Sequence, residues 1–308
     1  MKVGLIDVDG HNFPNLALMR QAAYYKSKGH EVEWWLGDLW HYNLVLMSKV
    51  FSNTYTPEPF DPVNVDKVIK GGTGYCISYR GGREVFDEEL NISLPKEIEA
   101  MRPDYSIYPQ YDFAVSMTSR GCPRGCKFCH VGKKEGMKSQ KVANVEDFWI
   151  GQKKIEVLDP NILACKDSME LLEQYASTGA RINYNQGLDI RLMTGKALDI
   201  LNRTKLYGVH FAWDNPKDDL VEKFRDYARE AKNKPKGRYG TVYCLVNFNS
   251  TIEEDLYRIY TLRDLGYDPY VMVYDKPHAD REHRALQRWV NNILIFRSCK
   301  TFEEYLSK

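Results

Sequence analysis

Short apolar segments of strand length alternate with longer amphipathic segments along almost the whole 308-residue chain. No other feature restricts the fold as strongly. Strands that run in the same direction cannot be joined by a tight turn and need a crossover, usually a helix, so repeated alternation implies parallel sheets covered by helices. The first series begins with MKVGLIDV, closed by Asp9-Gly10, and a helical stretch at 15–28 that stops before Gly29. Strands follow at EVEWWL, NLVLMSKVF and DKVIKGG, and CISYRGGREVF reads as a hairpin around Gly81-Gly82. Residues 95–112, with Pro95, Pro103 and Pro109, read as a linker.

The alternation restarts at Phe113. Strands are expected at FAVSMTS, KIEVLD, RINYNQG, YGVHFAW, GTVYCLVNF and PYVMVYD, with KNKPKGRYG as the loop before the fifth. Helices are expected at VEDFWIGQ, DSMELLEQYAST, TGKALDILNR, DDLVEKFRDYAREAK and TIEEDLYRIYTLRDLG, and one long helix at ADREHRALQRWVNNILIF. The predicted fold class is therefore α/β: a Rossmann-like domain over 1–108, followed by a partial (β/α)6 TIM barrel over 109–308 that ends in a helix. With 43% hydrophobic and 28% charged residues the chain can bury a core. Lys and Arg number 43 against 42 Asp and Glu, which excludes a globally electrostatic nucleic-acid binder. No apolar run approaches the roughly 18 residues that span a bilayer. Asp7 and Asp9 interrupt the N-terminal apolar run, which is unlike a signal peptide. A cytoplasmic protein with no membrane partner is expected.

Seven cysteines, an odd number, argue against a disulfide framework. Cys76, Cys165, Cys244 and Cys299 stand alone, whereas Cys122, Cys126 and Cys129 fall within eight residues directly after the strand at 113–119. Three thiolates at that spacing can wrap one inorganic centre, and Gly121, Pro123 and Gly125 supply the turning that the wrapping needs. Three protein ligands on a four-iron cluster leave one iron open, and an open position is what a catalytic metal site requires. Rival readings use the same residues. Zinc could take His130 as a fourth ligand, but adjacent Cys129 and His130 would point apart. Cys126 to His130 also spells the C-x-x-C-H of c-type haem attachment, which needs export. A plain ferredoxin-like carrier would need a fourth nearby thiolate.

The Cys-x3-Cys-x2-Cys spacing, with Phe128 just before the last cysteine and the loop at the end of a first barrel strand, resembles the radical S-adenosylmethionine (radical SAM) superfamily. The resemblance implies that Cys122, Cys126 and Cys129 hold a [4Fe-4S] cluster and that the open iron chelates S-adenosylmethionine. Phe128 would pack near its adenine, and one electron would yield a 5′-deoxyadenosyl radical. It also implies a reducing partner such as flavodoxin or ferredoxin. The stretch from Gln186 to Leu192 resembles one in cobalamin-type members, where Asp189 and Arg191 would contact the ribose or carboxylate of the cofactor. Asp159 stands where the family's Gly-Gly-Glu stretch is replaced, and Asp214 ends the fourth strand of the series. Either carboxylate equally suits helix capping or a turn.

The first domain resembles the cobalamin-binding domain that precedes the barrel in many members. Asp9 and His11 match two positions of its Asp-x-His-x-x-Gly motif, while Pro14 occupies the glycine position. On this reading His11 would ligate cobalt and Asp9 would orient its ring, making a cobalamin-dependent methyltransferase the alternative to hydrogen abstraction. Trp34, Trp35, Trp40 and Tyr42 cluster in sequence and suit either a stacking surface or core packing. Residues 120–141 carry seven basic side chains against Glu135 alone. They support a reading of another class, a metal-stabilised nucleic-acid-binding module without catalysis. The substrate is not legible.

Overall fold

A computed structural model describes residues 1–81, 83–235 and 237–307. Two compact units emerge: Met1–Lys138 with Val142–Gln152, and Ser139–Lys141 with Lys153–Lys308. Division by compactness thus leaves the cysteine segment with the first unit, whereas division by strand–helix count had drawn the line at 108/109.

In the first unit, β1 (Lys2–Asp7) lies between β2 (Glu31–Trp34) and β3 (Leu44–Ser48), and β4 (Val68–Gly71) pairs with β3. All three pairings are parallel. Val3, Leu5, Val45 and Leu46 are buried, as expected for strands covered on both faces. The crossover after β1 is α1 (Leu16–Ser27). It starts where the Asn15 side chain accepts the Leu18 amide at 3.2 Å, and it ends before Gly29 at φ 77°. Its inward face is Leu18, Met19 and Ala22, with Arg20 buried beside them.

The hairpin forms as β5 (Ile77–Arg80) antiparallel to β6 (Arg83–Phe86). Gly82, at its turn, lies outside the described residues, as does Lys236 in the loop before the fifth strand of the second series. The expected linker at 95–112 is not a bare connector. It carries α2 (Lys96–Glu99) and buries Ile98, Ile107 and Tyr108. The Tyr108 hydroxyl donates to Asp7 Oδ2 at 2.7 Å, and Lys26 pairs with Asp104 at 2.6 Å. Its prolines punctuate a packed segment.

The strand β7 (Phe113–Ser116) precedes the two-residue strand β8 (Ser119–Arg120) and the short helix α3 (Val131–Glu135). The stretch 145–152, expected to be helical, makes one 3-10 turn at Val145–Asp147. Asn144 and Asp147 form a capping box there, but Gly151 at φ 96° turns the chain away before a helix can propagate.

The second unit opens with β9 (Gln140–Lys141) and contains two parallel sheets. One joins β10 (Lys154–Val157), β11 (Arg181–Tyr184) and β12 (Leu206–Val209). The other joins β13 (Phe211–Ala212), β14 (Thr241–Val246) and β15 (Asp268–Val273). The expected strand at 207–213 is thus two strands interrupted at His210. Crossover helices are α4 (Ser168–Ser177), α5 (Gly195–Arg203), α6 (Val221–Glu230) and α7 (Ile252–Asp264). After β15 the single long helix expected is α8 (Arg281–Asn291) and α9 (Ile293–Ser298), with α10 (Phe302–Leu306) beyond. The break falls at Asn292, whose backbone is extended and whose side chain caps α9 by accepting the Leu294 and Ile295 amides. Trp289, Phe296 and Phe302 pack together beneath these helices.

The chain is therefore an α/β protein with parallel sheets. One loop of the first unit leaves no room for a side chain. A Cβ at Gly74 would lie 2.1 Å from the Phe51 carbonyl oxygen, whereas one at Gly195 meets nothing within 4 Å. Gly74→Ala should destabilise by about 1–3 kcal/mol, whereas Gly195→Ala, at the start of α5, should be neutral or stabilising by up to about 1 kcal/mol. Urea-unfolding midpoints of the two variants check both.

Candidate functional site

The three-cysteine segment leaves β8 through Gly121 at φ 85°, where a Cβ would lie 2.2 Å from the Lys138 carbonyl oxygen. No other residue fits there without moving the backbone. The Gly121 amide donates to Glu135 Oε2 at 3.3 Å and the Cys122 amide to the Gly136 carbonyl at 3.1 Å. The start of the loop is thereby tied to the end of α3. Gly125 at φ 58° makes the second bend, and the Cys129 amide closes a turn on the Cys126 carbonyl at 3.0 Å. Cys122, Cys126 and Phe128 are half-buried, and Cys129 is exposed. The loop therefore gathers three sulfur donors and one aromatic ring on eight residues whose backbone is fixed independently of them.

As they stand, the side chains do not converge on one coordination point: among the described residues, no three His, Cys, Asp or Glu side chains are grouped to hold a metal ion. The donor set suits an iron–sulfur cluster, which has to draw the thiolates together. His130 is engaged elsewhere. Its ring stacks on Phe86 with centroids 5.6 Å apart, and burial holds its pKa below the usual histidine value. That placement does not favour a zinc site using His130.

The basic run is partly neutralised within each unit. Arg120 pairs with Glu99 at 2.7 Å, Lys134 with Glu135 at 3.7 Å and Lys141 with Glu170 at 2.7 Å.

In the second unit the predicted residues lie after the strands, in the following loops. Asp189 and Arg191 meet: Asp189 Oδ1 accepts the Arg191 amide at 3.2 Å and its Nε at 2.7 Å. Arg191 Nη1 reaches Asp218 Oδ2 at 2.8 Å, and the Asn161 amide group donates to Asp189 Oδ2 at 3.4 Å. These contacts link the loops after β10 and β11 to the one after β13. Asp159 is 2% exposed and accepts the Tyr175 hydroxyl of α4 at 3.4 Å. The expectation that Asp159 faces a cofactor gains nothing from this geometry.

Asp214 accepts the Leu245 amide at 3.0 Å. Sequence reasoning missed the residue that organises this end, Arg258. It is fully buried in α7, pairs with Asp255, and donates to the carbonyls of Trp213 and Leu245 at 2.5 and 2.8 Å. Both strand ends are thereby held by one guanidinium. The signal was present: an Asp and an Arg three apart on the apolar face of a helix. Asn247, directly after β14, and Asp275, two residues after β15, adopt φ of 63° and 47°. A further polar cluster lies within the β10–β12 sheet. Glu156 Oε2 accepts from Asn183 at 2.7 Å and Oε1 from the Tyr207 hydroxyl, and burial raises its pKa.

In the first unit, the Asp9 carboxylate accepts the amides of Val50 and Phe51, the former at 2.5 Å. The His11 ring lies on Trp34 with centroids 4.2 Å apart and edge-on to Tyr108. Asp9 therefore orients a backbone turn and not the His11 ring, and the geometry adds no support for cobalamin. Trp34 is part of this packing, while Trp40 is 55% exposed beneath the Lys2 ammonium.

Burial pushes the Asp214 carboxyl up to about 6, against an ordinary value of 3.8, with the Leu245 amide and Arg258 opposing. Between those values the folded chain binds the proton more tightly than the unfolded chain, so this group's contribution to stability falls as pH rises towards 6. Asp214→Asn keeps an acceptor for Leu245 and removes that slope. Denaturation midpoints should therefore show the variant gaining on the native chain between about pH 4 and about pH 7. No protein-family model matches the chain, and no curated protein matches it in sequence.

Proposed function

We propose that the chain is a radical S-adenosylmethionine enzyme of Rossmann-like plus partial-barrel architecture. Cys122, Cys126 and Cys129 would hold a [4Fe-4S] cluster. The observation that carries this reading is the tightly turned loop after β8, whose glycine-dictated path presents three sulfur donors and Phe128 in an α/β chain with parallel sheets. Such a cluster, when bound, supplies the single electron for reductive cleavage of S-adenosylmethionine.

This chain's residues perform the binding and screening. The Gly121 and Cys122 amides are spent on Glu135 and Gly136, which tie the start of the loop to the end of α3. Phe128 offers a face for the adenine. For the loops after the strands the assignment rests on the resemblance: Arg191 grips a carboxylate or ribose, and Asp189 and Asp218 orient its guanidinium. The basic run around the cysteine loop suits an acidic reducing partner of the flavodoxin or ferredoxin type. A nucleic-acid-binding module is the weaker reading, because three of the basic side chains in that run already face carboxylates.

Oxygen-free reconstitution with iron and sulfide tests the proposal. The native chain should take up about four irons and four sulfides and, with dithionite and S-adenosylmethionine, release 5′-deoxyadenosine. Cys126→Ala should lose the visible absorption of the cluster and all 5′-deoxyadenosine formation. A colourless native chain free of sulfide, or undiminished turnover in Cys126→Ala, would falsify the reading.

A further inference from the structure

The cysteine loop runs directly into α3, a helix of five residues of which none is buried. A helix that short is not stable on its own in water. The hydrogen bonds of the Gly121 and Cys122 amides tie the start of the loop to the end of that helix, so loop and helix form one closed ring over 121–136. Those bonds act at the Cys122 side of the ring. At the other side Cys129, the exposed thiol of the three, meets the helix. His130 occupies the N-cap position there, yet its side chain makes no capping hydrogen bond. Its ring lies on the β5–β6 hairpin instead.

Two side chains from the hairpin and the turn after it grip α3. Phe86, the last residue of β6, is 4% exposed and stacks on the His130 ring with centroids 5.6 Å apart and planes 23° apart. The Asn91 side-chain amide donates to the Lys134 carbonyl at 3.0 Å. That carbonyl belongs to the last turn, whose acceptors have no partner within the helix. Both grips are fixed independently of α3. Phe86 pairs with Ile77 across the hairpin. The Asp87 amide donates to the Cys76 carbonyl at 2.7 Å, the Cys76 thiol to the Leu90 carbonyl at 3.3 Å, and the Asn91 amide to the Glu88 carbonyl at 3.2 Å. Met137 packs against the same ring: a Cβ at Gly125 would lie 2.8 Å from its Cε, and one at Gly132 2.6 Å from its Sδ.

We propose that Phe86 and Asn91 are positioning residues for the third thiolate. Acting through His130 and the Lys134 carbonyl, they order α3 and with it the Cys129 end of the loop, and so slow the loss of a bound cluster. His130 serves by its flat ring, so another aromatic ring at that position does the same work. The effect on a cluster rests on the proposed function, whereas the ordering of the loop is a property of the cluster-free chain.

Amide hydrogen exchange of the cluster-free full chain tests the ordering. Residues 126–135 should exchange about three- to tenfold faster in His130→Ala than in the native chain. His130→Phe should restore the native rate, and Asn91→Ala should act in the same direction as His130→Ala. Unchanged exchange in β1 and β3 identifies variants that keep the fold. After oxygen-free reconstitution, a ferrous-iron chelator should bleach the visible absorption faster in His130→Ala and Asn91→Ala and at the native rate in His130→Phe. Equal exchange over 126–135 in the native chain and His130→Ala overturns the proposal. So does altered exchange with unaltered bleaching, and so does failure of His130→Phe to restore either rate. A native chain that takes up no iron and sulfide sinks the radical reading alone, because the exchange comparison still decides whether the hairpin orders the Cys129 end.

Discussion

Parallel pairing governs the arrangement of this molecule. The sheet of β1 to β4 and both sheets of the second unit are built from parallel pairs, and only the β5–β6 hairpin is antiparallel among the strand registers described. Parallel neighbours must be joined by crossovers, so successive loops that follow the strands gather at one edge of each sheet. In the second unit that edge collects Asp189, Arg191, Asp214 and Asp218 from positions up to 29 residues apart. Arg191 bonds to Asp189 within its own loop and reaches Asp218 in another. The same rule places His11 and Asp9 after β1 and Lys49 after β3 in the first unit.

Charges brought inside by this arrangement are satisfied in pairs or larger groups. Arg258 is fully buried, yet it has Asp255 and two strand-end carbonyls as partners. Glu156 is held between Asn183 and Tyr207, and the neighbouring strand has Gly208 because a Cβ there would collide with the Asn183 side chain. Removing one member of such a group leaves the other buried without compensation, which is far costlier than losing an exposed ion pair. These clusters define the register and spacing of the strand ends. They border the residues that the resemblance assigns to a cofactor.

Much of the α/β pattern was legible in residue order. Every predicted strand in the second series exists, although most are shorter and one is interrupted at His210, because apolar runs report burial better than they report strand ends. The cysteine loop was equally legible: its glycines announced the positive φ values found at Gly121 and Gly125. Less visible were the elements decided by caps. The helix expected at 145–152 shrank to a turn, and the final long helix split at Asn292, because one Asn side chain can satisfy two backbone amides. Arg258 illustrates the limit for site residues: its place on a helix does not reveal which strand ends its guanidinium holds.

By itself the sequence determined the class of fold, through strand–helix periodicity, and the one place where three cysteines fall within eight residues, on a path bent by glycine. Only the tertiary structure decided which charges are partners. Glu99 serving both Arg20 and Arg120, Arg258 holding the ends of two strands, and Asp9 spent on a backbone turn all depend on distance in space. Periodicity is a local property of the backbone and is written in residue order, whereas electrostatic pairing falls off with separation between atoms and is defined only once the chain has folded.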